Sequence, residues 1–275
     1  MNKLSVAIAD RDADEKAFVV WRGFEESMAK AKDLGYDGVE LALRTKEEID
    51  VPRLRRLLDQ KDLEVSAIST GQVFSALNLY LTNPDVQQRK KAVAVITGLV
   101  ELAGEFGKLV NLGRARGFIA QNQSPAEAQS LFLQSLEEIA QAAERRGVGI
   151  IIEPVNRYEI NFINTVAQCG ELLQQIQAKN VGIMPDVFHM NIEDAKIGES
   201  LESYAASIHY IHLADSNRHA PGDGHLDFDD VFSALARTRY KGWLTVEILP
   251  LPSPNEAAKR AVTFLRPMMQ KYLGK

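Results

Sequence analysis

Glu153, Asp186, His212 and Glu247 combine metal-ligand chemistry with a shared setting. Each closes an apolar run: Gly149-Ile-Ile-Ile-Glu153, Val181-Gly-Ile-Met-Pro-Asp186, Ser207-Ile-His-Tyr-Ile-His212 and Trp243-Leu-Thr-Val-Glu247. Three carboxylates and an imidazole brought to one place can hold one divalent cation. The set is oxygen-rich, which favours Mn2+, with Co2+, Mg2+ or Zn2+ as further occupants, over the closed tetrahedral set of a structural zinc. Crowded carboxylates repel one another when ionised, so a cation also offsets the cost of bringing them together. Octahedral positions left open on such an ion suit vicinal oxygens of a substrate.

Convergence requires neighbouring strands that end at one rim. Strands are expected at Leu4–Ala9, Gly38–Leu43, Leu63–Ile68, Leu109–Leu112, Val148–Glu153, Gly182–Asp186, Ile208–Leu213 and Leu244–Leu249. Between them apolar residues recur at helical spacing, as in Val93, Ile96, Val100 and Ala103, or Leu131, Leu133, Leu136, Ile139 and Ala142. Ser124-Pro-Ala-Glu127 and Ser253-Pro-Asn-Glu256 read as capping boxes with proline at the first helical position, and Gly35, Gly147 and Gly242 as helix ends. Eight strands alternating with helices over 275 residues, without a linker, predict one α/β domain spanning 1–275, a (β/α)8 TIM barrel. A doubly wound sheet is the other arrangement. It usually carries a glycine-rich phosphate loop after its first strand, where this chain reads Ala9-Asp-Arg-Asp-Ala13.

Alternation sharpens the site. With Glu153 inward, Gly149 and Ile151 share its face while Ile150 and Ile152 meet the helices; Thr245 accompanies Glu247, Met184 accompanies Asp186, and Tyr210 accompanies His212. Glu40 and Arg44 share the inward parity of the second strand. Glu40 reads as half of an internal salt bridge, whereas His209, of opposite parity to His212, reads as a packed side chain. Cys169 falls in a helical pattern and reads as core; His219 and His225 fall in a loop.

Hydrophobic content of 45% and charged content of 25% are ordinary globular values. A net charge of −5 disfavours a general nucleic-acid surface. The lone cysteine excludes an intramolecular disulfide and fits a reducing compartment. The N-terminal apolar stretch is too short for a signal peptide, and no run approaches the length of a membrane span. A soluble, cytoplasmic protein with neither nucleic-acid nor membrane partners is expected.

The loops after the site residues are long and polar: Glu153-Pro-Val-Asn-Arg-Tyr-Glu159, Asp186-Val-Phe-His189, and His212-Leu-Ala-Asp-Ser-Asn-Arg218 leading to Pro221-Gly-Asp-Gly-His-Leu-Asp227. Together with Val246-Glu-Ile-Leu-Pro250, these segments resemble the sugar isomerase/epimerase family with a xylose-isomerase-like barrel. Within it they are similar to ketose 3-epimerases related to D-tagatose 3-epimerase. Ser69-Thr-Gly-Gln72, Leu81-Thr-Asn-Pro84 and the Arg116-Gly117 pair resemble a narrower branch containing a 5-keto-L-gluconate epimerase.

The resemblance implies that Glu153, Asp186, His212 and Glu247 bind the metal, and that Glu153 and Glu247 are the acid/base pair on opposite faces of the substrate. It implies that Glu159, His189 and Arg218 hold substrate oxygens, and that the chain assembles as a homodimer or tetramer. The implied activity is a metal-dependent 3-epimerase of small-molecule ketoses or keto-uronates (5-keto-L-gluconate/D-tagaturonate or D-tagatose type), with a cis-enediolate between proton removal and return. Either glutamate can act first. For a keto-uronate, Arg44 and Arg116 are the expected receivers of the carboxylate, and Gln72 either bonds a hydroxyl or braces its turn.

An aldose–ketose or inosose-type isomerase uses the same chemistry and remains open, as does a keto-inositol dehydratase. An endonuclease IV-like repair enzyme resembles the barrel but needs histidine ligands early in the chain, and the first histidine here is His189. A non-catalytic metal- or sugar-binding protein would keep the ligands without needing paired bases. The lack of a glycine-rich phosphate loop favours unphosphorylated substrates.

Overall fold

The computed structural model describes residues 2–15 and 17–274. Period-two sequences with apolar residues on the helix-facing side form eight parallel strands: β1 Lys3–Ala9, β2 Gly38–Ala42, β3 Glu64–Ser69, β4 Leu109–Leu112, β5 Gly149–Ile152, β6 Val181–Ile183, β7 Tyr210–Leu213 and β8 Trp243–Val246. They run in the order β6-β5-β4-β3-β2-β1-β8-β7, with a two-residue segment, Trp21–Arg22, paired beside β1. Parallel bridges from Ile183 to Ile208 and from Asp186 to His212 join the two ends. The result is a nearly closed eight-stranded barrel surrounded by helices, the expected (β/α)8 architecture.

The two faces separate as the alternation requires. Ile150, Ile152, Leu244 and Val246 pack into the large core shared with the helices. Ala67, Ile151, Met184 and Tyr210 form a separate cluster within the barrel. This inner layer is partly polar and internally paired: Ser5 Oγ lies 2.6 Å from Thr245 Oγ1, and Ser66 Oγ 2.7 Å from the Tyr210 hydroxyl. The β2–β3 pairing slips between Val39 and Glu40, so that Glu40 lies opposite Ala67.

Several boundaries differ from the sequence expectation for local reasons. β6 ends at Ile183, short of Asp186; Pro185 has no N–H to extend a ladder. Its carbonyl nevertheless accepts from His212 N at 2.9 Å, which keeps Asp186 beside β7. Ser124 forms the complete capping box on the helix Pro125–Glu144, whereas Ser253 supplies only the serine half on Pro254–Leu273. In the first of these helices Phe132 fills the core and Leu131 and Leu133 flank it half-buried. The helix Phe228–Thr238 is ended by Arg239 in the left-handed conformation rather than by Gly242. Cys169 is fully buried. No described helix is long and apolar enough to cross a membrane.

Candidate metal centre and substrate cleft

At the C-terminal rim the strands bring Glu153, Asp186, His212 and Glu247 together, each offering one ligand atom within 4.8 Å of the others. Glu153 and Glu247 follow directly on β5 and β8, His212 lies in β7, and Asp186 caps the helix Val187–Glu193 by accepting from Phe188 N at 2.9 Å. Space for Glu153 is built into β4 and its exit. A Cβ on Gly113 would stand 2.4 Å from Glu153 Oε2, and Asn111 Nδ2 donates to that oxygen at 3.1 Å.

The donor set fits a cation. His212 Nδ1 and Asp186 Oδ2 are buried and have no hydrogen-bond partner among the described residues. The same Nδ1 stands 3.9 Å from Glu153 Oε1 and 3.6 Å from Glu247 Oε2. Burial, reinforced by Glu247 and Asp186, holds the Glu153 carboxyl above the usual carboxylate range, and burial does the same for Glu247. Desolvation opposes the charge of His212, but Glu40, Glu247 and Glu153 outweigh it and raise its pKa. Proximity and burial oppose full ionisation of these carboxylates, and a divalent ion would supply the positive charge that offsets it.

Behind the cluster sits Glu40, fully buried on β2. Its Oε2 is 2.8 Å from His212 Nε2 and accepts from the Tyr210 hydroxyl at 2.8 Å. The expected internal partner of Glu40 is therefore an imidazole. A carboxylate on Nε2 fixes the proton there and leaves the Nδ1 lone pair facing the other three ligands.

Glu159, His189 and Arg218 lie on the outer side. His189 is buried, with Asn156 Nδ2 2.8 Å from Nδ1 and Glu153 Oε1 3.6 Å from Nε2. Burial, then the charge of Arg218, pushes its pKa well below the ordinary value, which favours the neutral imidazole. Asn156 also donates to Glu159 Oε1 at 3.1 Å. Arg218 pairs with Glu247, has Asp186 at 3.6 Å and Glu159 at 3.8 Å, and lies against Phe18 at 3.9 Å and Phe188 at 4.7 Å. It occupies the left-handed backbone region at φ 60°, a conformation a non-glycine residue holds only when its surroundings impose it. Buried Asp215 supplies part of that constraint by accepting from Ser216, Gly222 and Leu226 N.

A cavity of about 40 Å³ remains among these residues, Phe18 forming part of its wall. That space is large enough for an ion or water. It adjoins an outer groove of about 790 Å³; Phe18, Arg114 and Glu159 line both.

Two arginines expected at the cleft are committed elsewhere. Arg116 is fully buried and donates to the carbonyls of Gly113, Phe162 and Ile163 at 2.7–3.1 Å. It braces a loop in which β-branched Ile163 sits at φ 57°, a costly conformation. Arg44 lies beyond the end of β2, where Glu48 at 2.8 Å, Asp10 at 3.9 Å and the Asp12 carbonyl hold it. The sequence expectation places a substrate carboxylate on this pair; in the structure both guanidinium groups serve acceptors of the protein itself. Gln72 lines the inner cavity but braces its turn, donating to the Ala42 carbonyl at 2.5 Å and accepting from Asp14 N at 3.2 Å. The sequence reading missed Asn111, an amide inside an apolar strand and so the most visible clue. It also missed Phe18, in a loop without periodicity, and Arg114, in a 3₁₀ turn too short to show one. His225 contacts Ser216 in its own loop, and His209 lies against Gly182 outside the site.

A parallel barrel with three carboxylates and one imidazole gathered at its C-terminal rim is a TIM barrel whose rim could hold one metal ion. The profile described as xylose isomerase-like TIM barrel matches residues 28–268, and the chain belongs to that family. It is 30% identical over 227 residues to a ketose 3-epimerase of Arthrobacter globiformis, covering 82% of this chain and 77% of that one. It is 24% identical over 249 residues to 3-dehydro-D-guloside 4-epimerase of Escherichia coli strain K12, covering 88% and 93% respectively. A solved L-ribulose 3-epimerase shares the fold with a TM-score of 0.85 at 24% identity, over 99% of this chain and 96% of the other. These relatives are epimerases, a class of isomerase.

Proposed function

We propose that the protein is a metal-dependent 3-epimerase of free ketoses or keto-uronates. The observation that carries the reading is the meeting of Glu153 and Glu247, delivered by strands three apart around the ring, at one Asp–His pair. A divalent ion held by the quartet, Mn2+ by preference, would polarise the substrate carbonyl and offset the charge that develops as the C3 proton leaves.

The protein groups perform the proton chemistry. One glutamate takes the C3 proton from its face of the substrate, and the other delivers a proton to the opposite face, which inverts the carbon. Their order depends on which epimer enters. Glu159, His189 and Arg218 hold substrate oxygens, with neutral His189 acting through hydrogen bonds rather than charge. Phe18 restricts water at the outer side.

A panel of ketoses and keto-uronates incubated in D2O with Mn2+ tests the reaction. Deuterium at C3 with a new epimer supports it; label at C1 points to an aldose–ketose isomerase; no exchange with any member refutes both. Glu153→Gln and Glu247→Gln should each retain a folded barrel yet lose epimerisation. Epimerisation at C4 of a keto sugar is a second reading, favoured by the 93% coverage of the Escherichia coli relative, and label at C4 would identify it. The buried lone cysteine fits a cytoplasmic setting, and sedimentation should find a homodimer or tetramer.

A further inference from the structure

Arg114 stands where the inner cavity opens into the outer groove, lining both. Its side chain is 20% exposed, and its nearest carboxylate, Glu159 Oε2, lies 4.0 Å away. Among the described residues it donates no hydrogen bond, in contrast to Arg44 and Arg116. The rings of Phe18 and Phe74 each lie 5.9 Å from its guanidinium carbon, giving the charge apolar flanks. Glu159 does not neutralise it alone, because that carboxylate also accepts from Asn156 and lies 3.8 Å from Arg218. The groove beyond is lined by a further arginine, Arg22, whose Nη1 is buried without a partner among the described residues.

We propose that Arg114 determines substrate class by receiving a carboxylate at the end of the ketose remote from the metal quartet, so that keto-uronates are preferred to neutral ketoses. The inner cavity and the groove share Phe18, Arg114 and Glu159, so a chain of oxygens anchored at the quartet and extending into the groove passes Arg114. A planar guanidinium with unused donors matches a carboxylate and gains little from a terminal hydroxymethyl group. This inference rests on the ketose-epimerase reading of the metal site.

The test compares D-tagaturonate with D-tagatose, which differ in having a carboxylate or a hydroxymethyl group at the far end. Calorimetry measures the binding of each to the Mn2+-loaded wild type, Arg114→Gln and Arg114→Lys, with hydrogen exchange in D2O followed in parallel. The wild type should bind the uronate more tightly. Arg114→Gln should reduce that preference about 10- to 100-fold, the range for losing a charge-assisted hydrogen bond, and Arg114→Lys should reduce it less. Equal affinity of the wild type for both sugars overturns the proposal. So does binding of neither, or a glutamine variant that keeps the preference or weakens both sugars alike. Exchange of D-tagatose without a uronate preference overturns the anion site alone. Arg114-dependent uronate binding without exchange instead overturns the epimerase reading and leaves the anion site standing.

Discussion

Replacing Glu40 by glutamine isolates the interaction that positions His212 in the proposed metal site. The wild-type carboxylate accepts from Tyr210 and faces His212 Nε2, both at 2.8 Å, without solvent contact. Glutamine keeps the size and one acceptor oxygen but removes the charge and introduces two donors beside groups that already donate. The imidazole then loses the partner that fixes its proton on Nε2 and makes Nδ1 a stronger base. Loss of such a carboxylate behind a ligand histidine typically weakens metal binding about 10- to 100-fold, or roughly 1.4–2.7 kcal/mol.

Competition titration of Mn2+ measures this loss directly, with low-temperature electron paramagnetic resonance reporting the ion's surroundings. Thermal unfolding of metal-free protein checks that the variant folds. Tyr210→Phe removes the other donor to the same oxygen while keeping the His212 contact, so its effect on Mn2+ affinity should be smaller than that of Glu40→Gln. A folded Glu40→Gln protein with wild-type Mn2+ affinity and an unchanged spectrum would refute the reasoning. It would mean that the barrel wall alone orients His212.

Three further outcomes follow from the same geometry. Adding Mn2+ at about 100 times its Kd should stabilise metal-free protein by about 2.7 kcal/mol, raising Tm by about 5–8 °C, as differential scanning calorimetry can measure. Arg116→Met strips three buried carbonyls of a donor and should cost about 3 kcal/mol or more, lowering Tm by about 6 °C or more, without changing the ratio of uronate to neutral-ketose binding. Phe18→Ala opens the outer side of the quartet, so stopped-flow chelation should strip Mn2+ faster than from wild type while equilibrium affinity changes little; equal rates would mean that Phe18 does not gate the ion.

Strand parity made the quartet legible. On β5, Ile150 and Ile152 face the helices while Ile151 and Glu153 face the interior, and a two-residue period carries that information without knowledge of the fold. Glu40 had the right parity, but its partner was hidden because His212 arrives from a strand distant in sequence. The arginines mark where such reasoning stops. Arg114 and Arg116 lie in one 3₁₀ turn after β4, Arg114–Arg116. At about three residues per turn, positions two apart point about 120° from each other, so the alternation that served in the strands says nothing about which faces the cleft. Arg116 turns inward to the strained loop at Ile163, and Arg114 turns to the groove. The same turn thus sends two identical side chains apart, one into the protein and the other to the groove.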